Sequence, residues 1–62
     1  GIRFKMDAAR DDGATVFLVP AGNCAEAVTA APEGLQLARV GTLSEGITAL
    51  QAVREGRPPA PC

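Results

Sequence analysis

Apolar positions recur along this chain with two different periods, and the changes of period mark its elements. Ile2, Met6 and Ala9 stand at helical spacing, with Lys5 and Ala8 beside that stripe, and predict a helix from Ile2 to about Asp11. Gly13 follows the polar Asp11 and Asp12 and suits a helix C-terminus. Val16 to Val19 is a continuous β-branched and aromatic run of the kind found in strands buried on both faces, and Pro20 ends it. Gly22 and Asn23 open a polar bend, with Asn23 a candidate N-cap for a short helix from Cys24 to about Ala30. Pro32, Glu33 and Gly34 compose a turn. Leu35 to Val40 then alternates, with Leu35, Leu37 and Arg39 on one side and Gln36, Ala38 and Val40 on the other. Thr42 and Glu45 have the spacing of a capping box. Leu43, Ile47, Leu50 and Val53 line one face of the helix that follows, which runs to about Glu55 and is closed by Gly56. Gly46 weakens this helix by about 1 kcal/mol against alanine.

The order helix, strand, helix, strand, helix predicts an α/β fold. Its two strands, joined through a crossover helix, should run parallel. Two parallel strands make a poor sheet alone, so residues 1–55 are expected to form the C-terminal segment of a larger domain whose other strands lie upstream. Residues 56–62, from Gly56 through three prolines to Cys62, read as a Pro-rich tail with no core-forming pattern.

Composition narrows the function classes. Apolar residues make up 47% of the chain, the proportion of a globular domain, yet two phenylalanines and no Trp or Tyr leave little aromatic mass for a core of its own. Six basic against seven acidic residues, with no basic run, speak against nucleic acid as a partner. No apolar stretch approaches the roughly eighteen residues of a membrane span. Two cysteines are too few for a disulfide scaffold, and with no His the chain offers no zinc-ligand spacing, so neither a metal nor another cofactor is expected.

Lys5 is the one lysine; arginine fills the other five basic positions, Arg3, Arg10, Arg39, Arg54 and Arg57. A lysine amine can serve as a general base once neutral, which a guanidinium cannot. Burial against Ile2, Met6 and Ala9 would favour the neutral amine. The alternative is a solvated lysine on an amphipathic helix.

An ordered set of short motifs carries a resemblance. Gly1 and Ile2 are followed by Lys5 and Met6, then Ala9 and Arg10, then Gly13 and Ala14; Val16 to Pro20 and Asn23 and Cys24 come next. This series, with Gly34, Leu35 to Val40, and Thr42, Leu43, Gly46, Ile47 and Leu50, resembles the C-terminal part of the Lon-type proteolytic domain. It is most similar to the bacterial branch in which a PDZ domain precedes that domain, over roughly Gly1 to Val53. The resemblance implies a serine endopeptidase with a Ser-Lys dyad, in which Lys5 is the general base. It implies protein or peptide substrates and an oligomeric parent. The PDZ-linked branch would be anchored to the cytoplasmic membrane with its protease domain outside, whereas classical Lon would be cytoplasmic and ATP-driven.

The chain departs from the family pattern in one respect that matters. Its only serine is Ser44, in a helix cap, so the nucleophile should come from an upstream part of the same domain, and this chain alone should be inactive. Cys24 is expected to be a packing residue or, in an extracytoplasmic location, to pair with an upstream cysteine in preference to Cys62. Asn23 is a cap or a substrate ligand. Arg10 is expected to pair with Asp7 or a glutamate, or to orient the upstream segment. A non-catalytic α/β interaction module that kept the fold and lost the chemistry is the competing reading.

Overall fold

The computed structural model describes all 62 residues. In chain order the elements are α1 (Ile2–Asp11), β1 (Val16–Pro20), a 3-10 turn (Ala21–Asn23), α2 (Cys24–Ala30), β2 (Gln36–Val40) and α3 (Leu43–Arg54). β1 and β2 pair in parallel, from Val16 opposite Gln36 to Pro20 opposite Val40, as a crossover through α2 requires.

Sequence chemistry explains the joints. Past the end of α1, Gly13 takes a φ of +92°. Its N–H donates to the Arg10 carbonyl at 3.0 Å, and the Ala14 N–H donates to the Ala9 carbonyl at 3.0 Å, the paired bonds of a Schellman ending. α3 ends in the same way: Gly56 has a φ of +73° and the Arg57 N–H donates to the Ala52 carbonyl at 2.8 Å. At the start of α3 the capping box is complete. The Glu45 N–H donates to Thr42 Oγ1 at 3.1 Å, and Glu45 Oε1 accepts from the N–H groups of Thr42 at 3.1 Å and Gly41 at 2.6 Å.

One face of the sheet carries Phe17, Val19 and Leu37 and is covered by α1 and α2, where Met6, Val19, Ala27 and Leu35 form the main core. Ile2 and Ala9, half-buried, flank Met6 as the helical stripe requires. The opposite face carries Leu18, Ala38 and Val40 and receives α3. This helix does not pack through its bulkiest face. α3 buries Ala49 and Ala52, while Leu43 is 83%, Ile47 50%, Leu50 57% and Val53 41% exposed. The small residues let the helix backbone approach the strands. A methyl group added at Gly46 would stand 3.4 Å from Val40 Cγ1, in contact with the sheet.

β1 departs from expectation. Val19 is fully buried, but Val16 and Phe17 are half-buried and Leu18 is exposed, because β1 has only one neighbouring strand and α3 leaves Leu18 uncovered. Eight of the 62 residues are buried, a core small enough for any cross-link to matter.

One cross-link is present. Cys24 at the start of α2 is bonded to Cys62, with Cα atoms 5.2 Å apart, so the preference for an upstream partner is corrected. The Pro-rich segment is docked as well. The Arg39 N–H donates to the Ala60 carbonyl at 2.8 Å, Ala38 and Pro61 form an antiparallel bridge, and Pro59 is buried. The segment therefore lies along the β2 edge that faces away from β1. Composition alone missed this docking, because proline accepts hydrogen bonds through its carbonyl and tolerates an edge position.

Candidate functional site

Lys5 lies in the second turn of α1, where its own N–H donates to the Gly1 carbonyl at 3.3 Å. Met6, next in sequence, points into the core, and Lys5 is turned to solvent at the mouth of an open cleft. Phe17, Leu18 and Pro20 from β1 form one wall of that cleft, and Asn23 and Glu26 from the start of α2 form another. The burial expected from Ile2, Met6 and Ala9 is absent: they pack beneath the helix, whereas Lys5 leaves it on the outward side. Within these 62 residues nothing excludes water from the amine.

Asn23 occupies the N-cap position of α2, but its side chain makes no capping hydrogen bond. The sequence located the residue at the cap position correctly, but the cap bond it suggested is not made. With φ −106° and ψ 0° its backbone continues the preceding turn, and its amide is left exposed in the cleft with Lys5. Lys5 and Asn23 are separated in sequence by a whole helix–strand unit, and the fold brings them to one place. Glu26 is the residue that sequence reasoning did not single out. It lies one helical turn beyond Asn23, and the spacing of Asn23 and Glu26 was a usable signal for one shared face.

Arg10 contacts neither Asp7 nor a glutamate side chain. Its Nε donates to the Glu33 carbonyl at 3.1 Å and its NH1 to the Ala14 carbonyl at 3.1 Å, tying the end of α1 to the turn before β2. Gly34 sits directly under the guanidinium. Its φ is +85°, which calls for glycine, and Arg10 NH2 lies where a Cβ would stand.

Ser44 is not brought to Lys5. It lies exposed in the first turn of α3 and lines a separate cleft with Arg39, Glu45 and Arg57, near the docked Pro-rich segment. The Arg57–Glu55 ion pair there, at 2.6 Å, is more than half exposed at both ends and adds little to stability. No helix is long and apolar enough to cross a membrane.

The site thus holds a solvent-facing amine, an uncommitted amide and a carboxylate beside an apolar wall. It can bind and orient a polar group but holds no nucleophile. No family model, curated protein or solved structure matches this chain.

Proposed function

We propose that this chain is the C-terminal segment of a Lon-like serine endopeptidase domain, and that Lys5 acts as general base toward a serine carried by another part of that domain. The observation that supports this best is the meeting of Lys5 and Asn23, two of the positions on which the family resemblance rests, in one open cleft lined by Phe17 and Leu18. That other part of the domain would supply both the nucleophile and the cover that excludes water from the amine. In the reaction, the Lys5 Nζ accepts the proton of the serine hydroxyl as its oxygen attacks the scissile carbonyl. The protonated amine then returns a proton to the leaving amine of the acyl-enzyme step. The substrates are polypeptides, and the working parent is a homo-oligomer.

The Cys24–Cys62 bond bears on location. Disulfides persist in oxidising compartments and are rare in the cytoplasm, which supports the PDZ-linked, extracytoplasmic branch over classical Lon.

The test is Lys5→Arg in the serine-bearing parent protein. Arginine keeps the aliphatic stem and suits an exposed helix position, so folding should be retained, checked by circular dichroism. Cleavage of an unstructured substrate should fall by about 10²–10⁴-fold, the usual cost of losing a general base. Turnover within a few-fold of wild type would end the assignment.

The exposure of Lys5 favours a second reading, a non-catalytic interaction module of the same fold. The two part on the remainder of the protein: a serine in a small-residue, glycine-flanked setting belongs to the first and its absence to the second.

A further inference from the structure

α2 is held to the rest of the molecule by little besides one covalent bond. Its seven residues fall short of the roughly twelve that a helix needs to persist alone. Ala27 is its one fully buried residue, and the Asn23 side chain gives it no capping hydrogen bond. Its one side-chain hydrogen bond is internal, from the Thr29 hydroxyl to the Glu26 carbonyl at 2.8 Å. By contrast, α1 has Met6 in the core and Arg10 tied to two carbonyls, and α3 has its capping box.

What fixes the first turn of α2 is the bond from Cys24 to Cys62. Cys62 is itself anchored, because the segment before it is joined to the edge of β2 through the Arg39 N–H and the Ala60 carbonyl, and Pro59 is buried. Both cysteines are half-buried at the margin of the core, within reach of a reductant. The same turn of α2 carries Asn23 and Glu26, which form one wall of the Lys5 cleft. A single bond thus ties that wall to the far edge of the sheet.

We infer that the Cys24–Cys62 bond is a redox latch on the Lys5 cleft. Oxidised, it holds the Asn23–Glu26 wall in place; reduced, it releases that wall and the Pro-rich segment together while the sheet stays paired. The reagent that opens it is a dithiol. One thiolate of the dithiol bonds to Cys62 Sγ, the S–S bond breaks, and Cys24 leaves as a thiolate. The second thiolate then closes the reagent's own disulfide and frees Cys62. Two electrons pass to the protein, and the two cysteines take up the protons that the dithiol gives up. Local release precedes unfolding because the β1–β2 ladder and the capped start of α3 lie outside the turn that the bond fixes. The latch concerns the wall of the cleft and stands whether or not Lys5 is catalytic.

The test follows amide hydrogen exchange by NMR in the full chain at about 10 °C, near the maximum of stability for small domains, before and after reduction with dithiothreitol. Three amides report on the latch. Cys24 donates to the Ala21 carbonyl, Val28 bonds in helical register to the Cys24 carbonyl, and Arg39 donates to Ala60. Gln36, which donates to the Thr15 carbonyl at 2.8 Å, reports on the sheet. Reduction should quicken exchange at the three latch amides about tenfold or more relative to Gln36, and oxidised glutathione should restore it. Acceleration by one common factor at all four would make the bond a restraint on the unfolded chain alone and overturn the inference. Unchanged exchange at Cys24 and Val28 would show that α2 keeps its own wall and overturn it too. Should the reduced chain unfold, the comparison is repeated in sodium sulfate, which strengthens apolar burial. A reduced chain that stays unfolded there would mark the bond as a staple of the whole fold and likewise overturn the latch.

Discussion

On one face of the β1–β2 sheet, α1 and α2 close over Met6, Val19, Ala27 and Leu35, with the Cys24–Cys62 bond at the margin. On the other, α3 meets the strands through Gly46, Ala49 and Ala52 and leaves its bulky residues in water. Both helical layers are amphipathic, yet only the first uses its large side chains to hold the chain together. The difference separates two uses of apolar residues. Those of the first face stabilise this chain, and those of the second are available to something else.

Breaking the cross-link gives the hardest test of the first face. A loop closed over a sequence separation of 38 residues should contribute about 4 kcal/mol by restricting the unfolded chain. That is comparable to the whole stability of a domain this size. Reduction, or Cys62→Ser, should therefore lower the urea midpoint sharply or unfold the chain at 37 °C, followed by circular dichroism. An unchanged midpoint would mean that the α1–α2 face holds without its bond.

Truncating one large side chain on each face compares them directly. Met6 is fully buried, and Met6→Ala should cost about 3 kcal/mol. Ile47 is half exposed, and Ile47→Ala should cost under about 1 kcal/mol in denaturant melts of the same chain. Equal losses would show that the α3 face is packed in solution and would remove the contrast.

The smallest expected effect lies at the entry of α3. Thr42→Ala removes the hydroxyl that accepts from Glu45 and should cost about 1 kcal/mol. Amide exchange in the first turn of α3 should quicken while that of β1 hardly changes. Equal acceleration in both would mean that α3 and the sheet open as one unit.

Much of this architecture could be read from the residues. The helix and strand periods placed all five main elements, Gly13 and Gly56 marked two helix ends, and Thr42 with Glu45 marked a start. Each signal is local, carried by residues within one turn or one strand. What escaped depends on distance along the chain. The Leu43–Val53 stripe marked one face of α3, but periodicity does not say which face packs, and the sheet took the side with Ala49 and Ala52. Arg10 was expected to pair with a carboxylate or to orient an upstream segment, because backbone carbonyls are invisible in a sequence, yet two of them hold it. The pairing of Cys24 with Cys62 required knowing that the Pro-rich segment returns along β2. The candidate site was half legible: Lys5 and Asn23 were named in advance, while the exposure of Lys5 and the presence of Glu26 needed the fold.

The Cys24–Cys62 bond also changes what a break in the main chain can do. α2, β2, α3 and the Pro-rich segment all lie inside one covalent ring, and α1, β1 and the 3-10 turn stand outside it. A single scission anywhere in the ring, for example in the exposed Glu33–Gly34 turn, opens a circle without releasing a fragment. The pieces stay tethered at the start of α2 and can re-form their contacts at high effective concentration. A cut between α1 and β1 has no such protection and frees Lys5 with its helix. For a segment proposed to work beside a peptidase centre, tolerance of nicking is thus distributed unevenly, with the candidate base on the vulnerable arm.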